Sequence, residues 1–374
     1  MSKLIIEPSE RKLSVIRKVV SLAFPIVLSN LLYTVESAFS IVLVSGLSST
    51  AIAAVGYSAS MLWFIYSLMA LSYTGTSVLV AQRVGAGKDP SPALLWGLLI
   101  SFLIAIPLTF LGTSLVVFLM FKFGASNSVV QLAKDYLDPV FTFITVGFTA
   151  NTLYAAYNGC GDTKTPFKVA LLMNVVNIGS AYLLIYGNLG FPRLEVAGAG
   201  WGIALSEVMG LLAYTFLYVQ KRKPFTMHLC FDKSVLLRIM RIGTPTAVER
   251  AFTSLSFNIF VGLLASFGDK VLAAHQVGLR VESVSFMVGF GFMVAATTIS
   301  GQNWGAKNYR GLKYAISLTA HLTAFIMGLV GLLLLFFPRE FSLIFTRDAE
   351  VIGYAVYYLI IVALSQPQMA YASI

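Results

Sequence analysis

An all-α polytopic membrane protein, built as two parallel-repeat helical lobes, is the fold that this sequence predicts, and three observations predict it. The first is composition: 57% of the 374 residues are hydrophobic and 11% are charged, against about 45–50% and about 25% in a soluble domain. The 26 basic and 16 acidic residues cannot coat the surface that a soluble chain of this length would need. The second is a set of uncharged runs, Ser37–Gln82, Ala93–Phe121, Pro139–Gly161, Val169–Pro192, Ala251–Gly268, Ser283–Ala306 and Val351–Ile374. Several exceed the roughly 20 residues that carry a helix across a bilayer, and none alternates with the period of a closed β-barrel.

The third observation is an internal repeat. At a shift of 220, Pro25 meets Pro245, Leu43 meets Leu263, Ala53-Ala54 meets Ala273-Ala274, Gln82 meets Gln302 and Gly85-Ala86 meets Gly305-Ala306. After a two-residue insertion Val129, Tyr136 and Leu137 meet Val351, Tyr358 and Leu359. An even number of spans per unit keeps both units in one orientation, so the repeat is parallel.

Taken in order, the first span covers 19–45 and follows a charged segment, 1–18. Only Gly46-Leu47-Ser48-Ser49 separates it from the second, 52–82, so the 46-residue run is a hairpin of helices. The third span covers 93–121, the fourth 130–157, the fifth 166–189 and the sixth 196–220. The basic, proline-containing stretch within 221–236 then links the lobes. The second lobe, 237–374, holds spans at 237–267, 271–300, 314–338 and 350–374. The domains are therefore an N-terminal segment 1–18, an amino-terminal lobe of six helices over 19–220, a linker 221–236 and a carboxy-terminal lobe of four. That second lobe is read as incomplete: two full repeats of 220 residues would make a chain of about 440.

Orientation follows from Lys and Arg. With the N-terminus inside, the inner segments hold 5, 2, 2, 6 and 3 of them, and the outer loops 0, 2, 1, 1 and 2. This positive-inside bias puts the N-terminus and 221–236 in the cytoplasm, as expected of a multi-pass cell (inner) membrane protein. The net charge of +10 reflects those loops and not nucleic-acid binding. Cys160 and Cys230 read as free thiols. No cleavable signal precedes the first span.

Soluble-enzyme motifs are missing. Gly85-Ala86-Gly87-Lys88 lacks the earlier glycine of a phosphate loop and is followed by Asp89. His228, His275 and His321 are scattered without a second ligand, so no metal is expected. No catalytic pair suggests an enzyme, and no cofactor is implied.

Ionisable groups inside the spans are the informative signal, because each is costly at mid-bilayer unless it faces protein or water. Glu36 lies in the first span, Glu207 in the sixth, Glu249 and Arg250 in the seventh, and Arg280 and Glu282 in the eighth. The last four are open to two readings, pairing with one another or lining a pathway. Glu36 and Glu207 have no basic neighbour in sequence, so Glu36, Glu207 and the weaker Glu249 are the candidate ion-coupling groups. Pro25 and Pro245, at matched positions, are candidate helix hinges. Asn30, Glu36 and Ser40 descend one side of the first helix, and Asn174 and Asn177 lie mid-way along the fifth. Tyr33, Asn30, Ser40, Asn177, Arg250 and Glu282 are candidate substrate or cavity residues; Tyr57, Trp63, Phe64 and Tyr66 are aromatic neighbours that more often pack or face lipid.

Several stretches resemble one known family, the multidrug and toxic compound extrusion (MATE) transporters. These are Leu22-Ala23-Phe24-Pro25-Ile26-Val27-Leu28-Ser29-Asn30, Ala53-Ala54-Val55-Gly56, and Leu79-Val80-Ala81-Gln82-Arg83-Val84-Gly85-Ala86-Gly87. Gly159-Cys160-Gly161-Asp162-Thr163-Lys164-Thr165-Pro166, Gly243-Thr244-Pro245, Ala273-Ala274-His275-Gln276 and Gly301-Gln302-Asn303-Trp304-Gly305-Ala306 extend the likeness along the chain. The resemblance implies twelve helices in two lobes and a secondary active antiporter. Such a protein exports amphipathic or cationic organic compounds in exchange for protons or sodium ions by alternating access, and this chain's own residues favour protons, or less readily sodium ions. A monomer with the bilayer as its other partner is expected. A flippase for a lipid-linked precursor is the alternative, since related transporters share the architecture.

Departures from the family pattern bear on coupling. Ser40 stands where members carry Asp, Asn177 is kept, Ala181 replaces an acidic residue and Ile203 replaces Thr. A sodium site needs several converging oxygens, whereas a proton site needs one carboxyl. Glu36, one turn before Ser40 on the same face, can supply it, with Glu207 as helper. Glu249-Arg250 resembles a carboxy-lobe variant of the family.

Overall fold

A computed structural model of the chain describes residues 4–7, 10–220, 224, 225, 228 and 230–374. The rest of the expected segment 1–18 (residues 1–3, 8 and 9) and of the linker 221–236 (residues 221–223, 226, 227 and 229) lies outside the described residues. Among these the regular structure is helical throughout: α1 (Lys12–Ser45), α2 (Ser49–Ser67), α3 (Met69–Gly85), α4 (Ser91–Lys122), α5 (Asn127–Thr142), α6 (Ile144–Cys160), α7 (Lys164–Tyr186), a short 3-10 turn, α8 (Val196–Val219), α9 (Lys233–Ala265), α10 (Asp269–Gly305), α11 (Tyr309–Phe336), α12 (Pro338–Leu343) and α13 (Ala349–Ser373). Nine of the described helices are long and apolar enough to cross a membrane. The chain is a multi-pass membrane protein.

The expected spans map onto these helices with two differences. The second divides at Leu68 into α2 and α3, and the fourth at Phe143 into α5 and α6. Hydroxyls compete for backbone carbonyls at both places. Ser67 Oγ donates to Phe64 O at 2.6 Å and Ser72 Oγ to Met69 O at 3.2 Å, while Thr142 Oγ1 donates to Asp138 O at 2.7 Å. Such back-bonding offers carbonyls a partner outside the helical ladder, a signal that apolar periodicity does not carry. The hairpin between α1 and α2 forms where expected, and Ser48 caps α2 by accepting from Ala51 N at 3.0 Å. Asp348 caps α13 in the same way, accepting from Glu350 and Val351 amides.

The chain forms two compact units. Unit 1 holds 32–251 and unit 2 holds 2–31 with 252–374. Their boundaries fall inside α1 and α9, at positions 31 and 251, which correspond under the shift of 220. The expected lobes 19–220 and 237–374 would keep both helices whole, whereas each helix has one half in each unit.

Unit 1 has two apolar cores. One gathers Val44, Leu62, Met120, Tyr136, Phe141, Phe148 and Ile185; the other joins Leu79, Tyr157, Tyr214 and Phe225 to Val235 and Ile239 of α9. Glycines let backbones approach where α9 enters. A Cβ on Gly243 would lie 2.0 Å from Leu71 O. In unit 2, Val15, Val19, Leu22 and Ala23 of α1 pack with Phe292, Ala295, Ile299 and Ala315, and α13 lies against α10 and α11. Pro25, buried, and Pro245, exposed, both sit inside continuous helices. Ser29 Oγ donates to Pro25 O at 2.9 Å.

The segment before α1 is tied to unit 2 through its backbone. Leu4 N donates to Gln302 Oε1 at 2.9 Å and Ile6 N to Asn303 Oδ1 at 3.0 Å. In return Asn303 Nδ2 donates to Leu4 O at 2.9 Å and Asn308 Nδ2 to Ile6 O at 2.7 Å. Three side-chain amides thus hold four backbone groups of this segment. Gly311 gives it room, since a Cβ there would meet Ile6 O at 2.1 Å.

Candidate functional site

The site is assembled in unit 1 from helices distant in sequence. Glu36 on α1 is half-buried, and its Oε1 accepts a hydrogen bond from Asn177 Nδ2 on α7. Asn177 is only 2% exposed. Its place depends on a close α7–α8 approach: a Cβ on Gly202 would lie 2.8 Å from both Asn177 Oδ1 and Ala181 Cβ. A larger residue at 202 would push the amide aside.

Glu207 on α8 completes the carboxylate pair. Its Oε2 is buried without a hydrogen-bond partner among the described residues, and its carboxylate lies within electrostatic range of Glu36. The side chain rests against α6 at Gly147, whose Cβ would stand 3.2 Å from Glu207 Cδ. Tyr33 and Tyr66 lie within range of both carboxylates, and Tyr136 within range of Glu36. The result is two carboxyl groups, one amide and three phenols. Two interacting carboxyls titrate as a unit, so this cluster is equipped to take up and release a proton.

The remaining candidates divide. Ser40 is half-buried on the same helix, but no hydrogen bond joins it to Glu36 or Asn177 among the described residues. Asn174 Nδ2 donates to Ala170 O at 2.9 Å, within its own helix. Asn30 belongs to unit 2, where its amide donates to Met287 O at 3.5 Å. Glu249 is exposed, and it is not among the groups whose charge reaches Glu36 or Glu207. Arg250 lies within range of Tyr73. In unit 2, Glu282 accepts from Tyr358 Oη at 2.6 Å, so its bond is to a phenol, and Arg280 is exposed.

Sequence reasoning missed the parts played by Tyr136, Gly147 and Gly202. Tyr136 carried a signal, its match with Tyr358 across the repeat; the two glycines carried none, because what they spare is visible only when helices are packed.

Comparison with known proteins agrees with this architecture. The MatE family model matches residues 25–183 and 245–374. The chain is 29% identical over 351 residues to a probable multidrug resistance protein NorM of Thermotoga maritima, covering 92% of this chain and 75% of that protein. It is 30% identical to a probable NorM of Synechococcus sp., over 87% of this chain and 71% of the relative. Among solved structures, an outward-facing multidrug resistance MATE family transporter of the MOP superfamily superposes with a TM-score of 0.87 at 21% identity, over 98% of this chain and 84% of that one. A MOP superfamily transporter from Pyrococcus furiosus gives 0.84 at 21%, over 95% and 82%. At that identity the likeness shows the fold alone. The family match, spanning both halves of the repeat, settles membership: the chain belongs to the MatE family of multidrug efflux transporters, which are transporters and not enzymes.

Proposed function

We propose that the protein is a proton-coupled antiporter that exports amphipathic or cationic organic compounds by alternating access, as a monomer in the cell (inner) membrane. The N-terminus and 221–236 face the cytoplasm in this reading. The observation that carries it is the pairing of Glu36 with Asn177 beside Glu207. A proton arriving at this pair converts a carboxylate that accepts the Asn177 amide into an acid that can donate. That exchange changes which helices are tied together across α1, α7 and α8. Sodium is disfavoured because Ala181 and Ile203 offer no side-chain oxygen, leaving too few ligands to converge on an ion. The names of the relatives, multidrug resistance proteins, support a small-molecule organic substrate.

The test is exchange in liposomes containing the full-length protein. A pH gradient alone should drive uptake of a cationic dye, and Glu36→Gln should abolish it while gel filtration shows an intact particle. Exchange that requires a sodium gradient and survives Glu36→Gln would sink the assignment.

A further inference from the structure

The two units treat one repeated tyrosine differently. Tyr136 and Tyr358 occupy matched positions in the repeat, with an offset of 222. On the helix beneath Tyr136, the residues matched at a shift of 220 are Val55, Ser58 and Leu62; beneath Tyr358 they are His275, Gly278 and Glu282. Spacings of three and four place those three residues on one face of α10. Two apolar residues flanking a serine in unit 1 thus correspond to a basic group, a gap and an acidic group in unit 2.

The gap seats the tyrosine. A Cβ on Gly278 would lie 2.2 Å from Tyr358 Cδ1, so the ring can lie there only because position 278 has no side chain. From that seat Tyr358 Oη donates to Glu282 Oε2 at 2.6 Å. Its ring stands edge-on to the His275 imidazole, with centroids 5.3 Å apart and planes at 82°. Phe257 and Phe260 close round the same imidazole at 6.3 and 5.4 Å. His275 is 7% exposed, and its Nε2 is buried with no hydrogen-bond partner among the described residues. An orphaned buried nitrogen is uncommon and calls for a reason.

We propose that Glu282, Tyr358 and His275 form a second proton-binding site, contained in unit 2. A proton taken from water adds to the Glu282 carboxylate and makes it a neutral acid. The acid hydroxyl then donates to Tyr358 Oη, which stops donating to Glu282, and the phenolic hydrogen turns away. His275 positions the ring and is the polar group waiting beside it. Protonation thereby reverses the bond that joins α10 to α13.

Glu282 is the charged group that reaches Tyr358, and none reaches His275. On α10, Arg280 is exposed, as are Tyr354 and Tyr357 on α13, Arg339 and Glu340 on α12, and His321 on α11, whose ring meets Tyr371. The unit 2 part of α9, 252–265, has no titratable residue. One carboxylate, one hydroxyl and one imidazole suit a proton and fall short of a sodium ion's oxygen shell. The site stands on unit 2 alone and does not need Glu36 to be the carrier.

Infrared difference spectroscopy of the full-length protein in nanodiscs tests it, reading the carboxylic acid carbonyl band on acidification. In a Glu36→Gln/Glu207→Gln background the band of a protonated buried carboxyl should persist. It should vanish when Glu282→Gln is added, and move to higher frequency in Tyr358→Phe, which removes the hydrogen bond. His275→Phe, filling the same aromatic nest without a nitrogen, should displace the midpoint of the titration. Sodium at fixed pH should leave the band unchanged. Circular dichroism and gel filtration identify variants that are folded. A band of equal amplitude with and without Glu282→Gln overturns the proposal, as does one displaced by sodium; an unmoved midpoint in His275→Phe removes the imidazole from the site. Because the band is read without transported substrate, failure of the exporter reading would show in the liposome assay and not here.

Discussion

Replacing Asn303 by alanine should release the segment 4–6 from unit 2. Asn303 is fully buried, and its amide makes two bonds to that segment, accepting from Ile6 N at 3.0 Å and donating to Leu4 O at 2.9 Å. It also donates to Ile299 O and accepts from Asn308 Nδ2. Each lost bond is worth about 0.5–1.5 kcal/mol net, and a buried amide left unpartnered costs about 1–3 kcal/mol. Ile6 is itself 0% exposed, so its N–H would be left in that position. The bonds from Gln302 and Asn308 remain, so opening of the segment should become easier by about 2–4 kcal/mol. That range is roughly 30-fold to 1000-fold in the opening equilibrium, at about 1.4 kcal/mol per tenfold. Hydrogen–deuterium exchange of the N-terminal peptide reads it directly, with the exchange of α4 and α6 as the control for global unfolding. Protection at Ile6 within about threefold of wild type, far below the change expected from one lost buried acceptor, would refute the reasoning.

Other outcomes follow from single features. Gly200→Ala places a Cβ 2.1 Å from Tyr136 O and 2.8 Å from Pro139 Cγ; this overpacking should cost about 1–3 kcal/mol and lower the Tm in a thermal-shift assay. Gly179→Ala, with nothing within 4 Å, should leave the Tm level or raise it; equal behaviour of the two variants would contradict the packing account. A maleimide should modify the exposed Cys230 and spare the buried Cys160 until the protein is unfolded, and comparable labelling of both in the native state would show that Cys160 is accessible. The bonds from Lys18 and Ser14 hold the Glu10 carboxyl below its ordinary value of 4.5. That contact therefore stabilises the start of α1 fully above the ordinary value and is lost as pH falls through the lowered one. Protection at 10–14, corrected for the intrinsic exchange rate at each pH, should fall on acidification in wild type and lose that dependence in Glu10→Gln.

The class, the approximate course of the spans and the repeat were all legible in the sequence, because they rest on local properties. A bilayer crossing needs an apolar run of set length wherever its neighbours lie, and basic residues mark loops one at a time. The hairpin at Gly46-Leu47-Ser48-Ser49 and the matched Pro25 and Pro245 could be read for the same reason. The breaks at Leu68 and Phe143 could not, since they turn on serine and threonine hydroxyls choosing backbone carbonyls over solvent or neighbours. Within the site, sequence marked Glu36, Asn177 and Glu207 as polar groups in apolar helices, and the family resemblance grouped them, but neither gave the contacts by which they meet. Meeting depends on how each helix is rotated about its axis and how near the next can come, which Gly202 and Gly147 decide by lacking a side chain. Glu249, the weaker candidate in the sequence, is left exposed by its rotation. Glu282 bonds a phenol 76 residues away, whereas the sequence leaves open whether it pairs with Arg250 or Arg280 or lines a pathway. Only the tertiary structure divides α1 and α9 between the two units, because a continuous helix bears no mark of which neighbours each half will touch.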